Sequence, residues 1–192
     1  MYIGENANVT LQNLILTGGY LAYNYEQCDG AGLYIENNAT VKINNCKISD
    51  NQAKDGGGLY LCPIANDDGG NLLELSSCTI SSNTATSSGG GILFCPTHSS
   101  SDDMTTTLNL TNCTINSNKA KQKGGGIYSY GKNPEVILDA CDITNNSLGS
   151  ESSVQNAYGG GIYGANGTII MNNTTISENK VASVNDVNGA GV

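Results

Sequence analysis

The sequence predicts a right-handed parallel β-helix, an all-β solenoid with three short strands in each of about five to six coils. Two observations support this prediction. A Gly-Gly-Gly-apolar-Tyr signal recurs at intervals of 26 to 35 residues, as from Gly30 to Gly56 and from Gly89 to Gly124. Each interval also contains a Cys/Thr-x-Ile-x-x-Asn motif, such as Cys113–Asn118. Repeats of this length are typical of solenoids, in which each unit buries its apolar face against its neighbours.

Three short segments of each repeat have the period-two alternation of a β-strand. In the first full repeat they are the glycine segment that ends at Leu33–Tyr34, the run Val41–Ile43 and the motif around Ile48. No window of the chain has the apolar face of an amphipathic helix. Right-handed crossovers dominate between parallel strands, so stacking three strands per turn favours the right-handed form of the fold.

The repeats define the domain organisation. We expect one domain over 1–192, with a partial coil 1–29, coils 30–55, 56–88, 89–123, 124–158 and 159–188, and the start of a next coil at 189–192. The first coil is expected to lack its glycine strand. Both ends interrupt a repeat without a capping helix, so we expect a fragment of a longer repeat array whose partners are further coils of the same or neighbouring chains.

Composition excludes several classes of partner. The chain has 192 residues with 8 Lys, no Arg and 17 Asp or Glu, which gives a formal net charge of −9. Binding to nucleic acid or to an anionic membrane surface requires clustered basic residues, so neither is expected. No segment is long and apolar enough to insert into a membrane, and no secretory signal is visible. No pattern indicates a cofactor.

An extracellular or cell-surface location is predicted from the fold and from the lack of motifs for intracellular chemistry. Asn-x-Ser/Thr sequons, the acceptors of N-glycosylation, lie at Asn8, Asn38, Asn109, Asn112, Asn145, Asn166, Asn172 and Asn173. Several fall within predicted strands, where a glycan is hard to place. The abundance of Asn, Ser and Thr also produces some sequons by chance.

Alternation assigns the faces of the strands. Ile48 and its equivalents must face inward, because no other residue of their strand is apolar enough. The position two residues earlier then forms an interior cysteine column of Cys46, Cys78, Cys113 and Cys141, continued by Leu14 and Thr174. In the glycine segment Leu33 and its equivalents face inward. An outward tyrosine row of Tyr34, Tyr60, Tyr128 and Tyr163 follows, interrupted by Leu93.

An asparagine column of Asn51, Asn83, Asn118, Asn146 and Asn179 lies where each Ile-containing strand turns. Asn tolerates left-handed backbone and bonds its own chain. Stacked copies can pass amide hydrogen bonds along the axis. We interpret this column as structural rather than catalytic.

Seven cysteines in a chain predicted to be extracellular suggest disulfides. Cys62 and Cys95 occupy equivalent places on adjacent coils, and a coil spacing of about 4.8 Å lies within the Cα range of a disulfide. We predict this bridge. In the interior column, strands in register hold Cβ atoms somewhat too far apart, so buried thiols are favoured over neighbour pairs. Cys28 has no evident partner.

Two acidic pairs, Asp67-Asp68 and Asp102-Asp103, lie in equivalent insertions of adjacent coils. Four carboxylates with nearby carbonyls are a weak candidate for a calcium site. Two solvated acidic turns are the favoured interpretation, and no metal is predicted.

The pairing of Gly125-Gly126-Ile127 with Ile115-Asn116-Ser117-Asn118 resembles the repeats of chlamydial-type polymorphic outer-membrane proteins, whose motifs read Gly-Gly-Ala-Ile and Phe-x-x-Asn. Related extracellular repeat proteins have a similar appearance. The resemblance covers nearly the whole chain and implies a β-helical surface or adhesin passenger. Here Ile replaces the Phe, and no membrane barrel accompanies the repeats.

The predicted function is a non-catalytic, extracellular structural or adhesive rod or fibre component. Its partners are then host or matrix glycans or proteins, with the tyrosine row as contact surface; packing of these tyrosines on one another is the plainer interpretation. The alternatives are a polysaccharide lyase or glycoside hydrolase, or a glycan-binding module. A hydrolase needs paired carboxylates, whereas Glu36, Glu74, Glu135 and Asp142 are scattered and the one histidine, His98, lies in a Ser-rich loop.

Overall fold

The computed structural model describes residues 1–21, 29–61, 72–96, 106–149, 157–182, 187–189 and 191. Within these ranges the chain forms 25 β-strands and no helix. Every paired strand is parallel to its partner, which is the equivalent strand of the next or previous coil. The strands therefore stack into a solenoid of about five turns, with one sheet along each side.

Three sheets of six strands correspond to the three strands predicted for each coil. Sheet 1 contains β1 (Tyr2–Ile3), β4 (Leu33–Ile35), β8 (Leu59–Leu61), β12 (Ile92–Phe94), β16 (Ile127–Ser129) and β21 (Ile162–Gly164). Sheet 2 contains β2 (Asn8–Gln12), β5 (Thr40–Asn44), β9 (Leu72–Ser76), β13 (Thr106–Thr111), β17 (Pro134–Asp139) and β22 (Thr168–Asn172). Sheet 3 contains β3 (Ile15–Thr17), β6 (Lys47–Ser49), β10 (Thr79–Ser81), β14 (Thr114–Asn116), β18 (Asp142–Thr144) and β23 (Thr175–Ser177).

A fourth side of the solenoid was not predicted. Sheet 4 contains β7 (Gln52–Ala53), β11 (Thr84–Ala85), β15 (Lys119–Ala120), β19 (Ser147–Leu148) and β24 (Lys180–Val181). A separate pair joins β20 (Ala157–Tyr158) to β25 (Val187–Asn188). Two residues are too few to show alternation, so sequence periodicity could not reveal these strands.

The first coil has the strand that we expected to be missing. Tyr2 and Ile3 pair with Tyr34 and Ile35 of the next coil, and Ile3 is buried. This corrects the expectation, which relied on the glycines as the marker of the strand. Parallel pairing needs backbone N–H and C=O groups at the right spacing, and Tyr-Ile supplies these as well as the glycine segment does.

The core is a narrow tube of Ile, Leu, Val and Phe from sheets 1 to 3. In one central coil, Ile92, Phe94, Leu108, Leu110 and Ile115 are all at most 1% exposed. The predicted inward positions of sheets 1 and 3 are thus buried through the central coils. A smaller apolar cluster consists of Ala85, Ala120 and Leu148 on the inner side of sheet 4, together with Ala157 of β20.

The corners between sheets use single residues in the left-handed backbone conformation. Between sheets 2 and 3 these are Asn13, Asn45, Ser77, Asn112, Ala140 and Asn173. Between sheets 3 and 4 they are Gly18, Asp50, Ser82, Ser117, Asn145 and Glu178. We expected the asparagine column to take this conformation, and that was wrong, because the residue before each column asparagine has the positive φ. The reversal at that residue turns the following Asn side chain into the interior.

Candidate functional site

The asparagine column forms a continuous ladder of hydrogen bonds along the solenoid. Asn118 donates from Nδ2 to the carbonyl of Ile80 (2.9 Å) and to Oδ1 of Asn146 (3.0 Å). Its own Oδ1 accepts from the backbone N–H and from Nδ2 of Asn83, both at 3.0 Å. The pattern repeats in neighbouring coils and begins where the N–H of Gly19 donates to Asn51. Each central amide is buried and has no access to water. The ladder therefore supplies the hydrogen bonds of both its NH₂ group and its oxygen.

The glycine segment and the asparagine column meet inside the same coil. A Cβ on Gly91 would lie 3.0 Å from Nδ2 of Asn118 and 2.6 Å from the carbonyl oxygen of Gly126 in the next coil. Gly32, Gly58, Gly126 and Gly161 have the same two kinds of neighbour, as Gly58 has with Gly91 and Asn83. The two motifs recur together because each asparagine side chain needs a glycine backbone beneath it.

The interior cysteine column is buried, and its members form no disulfide with one another: Cys46, Cys78, Cys113 and Cys141. The Cys78 thiol donates to the carbonyl of Ile43 at 3.2 Å, and the other thiols bond comparable carbonyls. Hydrogen bonds with the Cys141 and Cys78 thiols, together with burial, raise the pKa of the Cys113 thiol. The same hydrogen bonds to Cys113 lower the pKa of the Cys78 and Cys141 thiols to about 7. All four side chains are at most 4% exposed, so the column is closed to substrates and fills the core.

Two predicted sites fall outside the described residues. Cys62 lies there, so its predicted bridge to Cys95 has no geometry to report; Cys95 itself is buried. The weak calcium candidates Asp67, Asp68, Asp102 and Asp103 lie there too, as do Cys28 and His98. Among the described residues, no group of three or more His, Cys, Asp or Glu side chains is placed to hold a metal ion.

The tyrosine row lies on the outer face of sheet 1 as two stacks. Tyr34 and Tyr60 stack with ring centroids 5.2 Å apart, and Tyr2, which the sequence prediction missed, extends this stack. Beyond Leu93, which is buried, Tyr128 and Tyr163 stack at 5.4 Å. Rings stacked along the axis cover each other's faces and leave their edges outward. The row therefore stabilises the sheet and offers few open ring faces to a sugar.

The outer tyrosines also have perturbed hydroxyl groups. The hydrogen bond to the Glu36 carboxylate raises the pKa of Tyr2 to about 12. Burial raises the pKa of Tyr128 to about 12. The amino group of Lys123 lies 5.6 Å from the ring centre of Tyr128 and 5.8 Å from that of Tyr163, within cation–π range. Both phenols stay protonated at neutral pH.

An acidic pair that the sequence did not reveal lies just before the glycine segments. Asp29 and Asp55 are paired neighbours on adjacent coils. Asp55 accepts the backbone N–H of Ser88 at 2.8 Å, whereas Oδ1 of Asp29 is buried without a hydrogen bond. Burial, followed by the charge of Asp55, raises the pKa of Asp29 from 3.8 to about 6.

Asp29→Asn is expected to stabilise the protein above pH 6. Between pH 3.8 and about 6 the folded state holds a proton that the unfolded state has lost, so wild-type stability falls as pH rises through this window. The variant lacks the ionised carboxylate and should be more stable by about 1–2 kcal/mol at pH 7.5, a value reduced for solvent screening at this partly buried group. Urea denaturation at pH 3.5 and pH 7.5 measures the difference.

The exposed Asp142 of sheet 3 provides the control for Asp29, since Asp142→Asn makes the same change of charge. Its effect on unfolding is expected to stay within about 0.5 kcal/mol at both pH values. An Asp29→Asn variant with the same stability gain at pH 3.5 as at pH 7.5 would contradict the explanation.

The carboxylates considered for catalysis lie apart. Glu36 follows sheet 1, Glu74 and Glu135 lie on sheet 2, and Asp142 lies on sheet 3. Glu74 forms a 2.9 Å ion pair with Lys42. The register places Asn109 beside Glu74, and Thr107, which donates to the Glu135 carboxylate at 3.3 Å, beside Glu135. The structure brings no two of these four side chains together.

The comparison with protein families defines the class of protein. The family model described as a right-handed β-helix region matches residues 1–180. The match spans most of the chain, so the chain belongs to the right-handed β-helix family, and the predicted fold class is confirmed. No curated protein and no solved structure matches the chain significantly. The fold hosts both enzymes and non-enzymes, so membership does not determine activity.

The described ranges also contain no helix with the length and apolarity needed to cross a bilayer.

Proposed function

We propose that this β-helix is a non-catalytic rod displayed outside the cell, where it has a structural or adhesive role. The observation that carries the proposal is the unbroken asparagine ladder, with in-register sheets on every side of the solenoid. In the part of the chain that the structure describes, hydrogen bonds join each coil to the next on every side, and equivalent strand positions recur along the axis. Stiffness and a repeating surface suit support and attachment.

The resemblance to chlamydial-type polymorphic outer-membrane proteins favours an adhesin-like role within this proposal. The enzyme alternative is disfavoured because Glu74 and Glu135 are already bonded and lie apart from Glu36 and Asp142. In the Asp29–Asp55 pair, Asp55 bonds the backbone N–H of Ser88 and Oδ1 of Asp29 is buried, so neither carboxylate is presented to a polysaccharide as an open acid–base pair. The glycan-binding alternative is weakened for the tyrosine row, because its rings stack on each other.

End-to-end stacking is part of the proposal. Apolar columns are covered by neighbouring coils within the stack but are exposed in its outermost coils. Leu14 and Cys46 occupy equivalent positions in the first and second coils, and they are 40% and 4% exposed, respectively. At the other end Met171 is 40% exposed, whereas Leu138 is buried. A further coil, from the same or another chain, would bury these side chains and pair the free strand edges.

The test combines location and activity. Surface biotinylation of intact source cells is expected to label the protein, and beads coated with 1–192 are expected to adhere to host or matrix surfaces. Incubation with neutral and uronate polysaccharides is expected to release neither reducing ends nor unsaturated products. Exclusive recovery of unlabelled protein from the cytosol would contradict the location, and steady product release that is lost on heating would favour the enzyme.

A further inference from the structure

Positive charge is concentrated on one edge of this acidic protein. Five of its eight lysines lie on sheet 4 or on the turn that leads from it to sheet 1: Lys54, Lys119, Lys121, Lys123 and Lys180. We call these residues the lysine edge. The same turns also hold the carboxylates of Asp29 and Asp55, in the first two coils. Five lysines against two carboxylates still make the edge net positive, whereas the chain as a whole has a formal charge of −9. A local charge of opposite sign attracts oppositely charged ligands within about a Debye length.

The outer row of sheet 4 is polar and carries no carboxylate. The register aligns Gln52, Thr84, Lys119, Ser147 and Lys180 on successive coils. Lys119 and Lys180 are exposed, and Thr84 and Ser147 add hydroxyl groups beside Lys119. With strands about 4.8 Å apart, the two ammonium groups originate two coils, or about 10 Å, apart. The row thus offers a hydrogen-bonding group on every coil, and its last three coils carry two cations with one coil between them.

We propose that the lysine edge binds a linear polysaccharide that carries sulfate or carboxylate groups and runs along the solenoid axis. This names the partner of the proposed adhesive role and rests on that role. Hydroxyls and amides of the row match sugar hydroxyls, and widely spaced cations match a chain with sparse anionic groups. Double-stranded DNA carries one negative charge per about 1.7 Å of axis, a density that this row does not match.

The tyrosines beside the lysine edge fit the same ligand. Lys123 lies over the rings of Tyr128 and Tyr163, and Tyr158 stacks on Tyr163 at 5.3 Å. These contacts hold the Lys123 ammonium close to the protein surface at the side of the row. A bound chain would therefore meet fixed positive charge at one flank and the exposed Lys119 and Lys180 at the centre.

The experiment uses two double variants with equal charge changes. Lys119→Thr with Lys180→Thr removes the two exposed lysines of the row. Lys42→Thr with Lys47→Thr removes two outward lysines of sheets 2 and 3. Threonine already occupies a register position beside three of these lysines: Thr84 beside Lys119, Thr10 beside Lys42 and Thr79 beside Lys47. The substitutions should therefore leave the fold intact, which circular dichroism checks.

Binding of the 1–192 chain is measured to immobilised heparin and to polygalacturonate, at about 20 and 150 mM NaCl. Affinity for at least one of them is expected to fall about fivefold or more in the sheet 4 variant and less than about twofold in the control. Preference for heparin assigns sulfate, and preference for polygalacturonate assigns carboxylate.

Three outcomes would overturn the inference: no binding to either polymer, equal losses in the two variants, or equally strong and equally lysine-dependent binding of single-stranded DNA. Each would leave the surface rod untouched, since that proposal is tested by cell-surface labelling.

Discussion

Replacing Asn118 by alanine is expected to lower the free energy of unfolding by about 4 kcal/mol. The Asn118 side chain is fully buried and bonds to groups on three other residues. Its loss leaves the backbone N–H and Nδ2 of Asn83 without their acceptor, and the carbonyl of Ile80 without this donor. Each unsatisfied buried group costs about 1–3 kcal/mol. Urea denaturation followed by circular dichroism measures the change.

Asn116 supplies a control in the same coil. It lies on β14, two residues before Asn118, and its Oδ1 makes no hydrogen bond with the described residues. Because that oxygen is buried without a partner, Asn116→Ala is expected to leave stability unchanged or to raise it slightly. Similar losses for the two variants would show that the ladder is not the source of stability, and that general packing of the coil matters more.

The sequence was sufficient to predict the solenoid because its signals repeat. Five Ile-x-x-Asn motifs and six glycine segments alternate along the chain at intervals of 26 to 35 residues, so a weak local signal became a strong global one. The inward residues followed from strand alternation, which has only two solutions, and the ladder asparagines could be placed at the turn. Other strands were missed because they are too short or lack the repeated marker. Sheet 4 has two residues per strand, and β1 lacks the glycine marker.

Features that depend on contacts between coils could not be predicted in the same way. The sequence placed a left-handed residue at the asparagine column, but Asp50 before Asn51 has φ 58°. The choice between these neighbours depends on which side chain fits inside the coil. The Asp29–Asp55 pair was missed although both residues directly precede a glycine segment, because position in the repeat does not show that the Asp29 carboxylate becomes buried. The lysine edge was missed because its members gather only when coils stack.

Gly91→Ala is expected to destabilise the protein by about 3 kcal/mol through a clash between coils. Gly91 does not have a positive φ, so alanine is allowed by its backbone conformation. Its Cβ, however, would lie 2.6 Å from the carbonyl oxygen of Gly126. The Gly126 carbonyl accepts the backbone N–H of Ile92 at 2.9 Å and cannot move aside cheaply, so two coils must separate or the Asn118 amide must shift. Thermal and urea denaturation measure the loss.

Gly4→Ala is the control for Gly91→Ala, because Gly4 also lacks a positive φ and its Cβ would have only an ordinary contact, 3.7 Å from Cε1 of Tyr2. It is expected to be neutral or slightly stabilising, since alanine restricts the unfolded chain. The combination of Gly91→Ala with Asn118→Ala tests the link between the two motifs. Because the added methyl and the amide compete for one space, the double variant should lose about 1 kcal/mol less than the sum of the single losses. Strict additivity would show that the glycine is required by the neighbouring coil alone and not by the asparagine ladder.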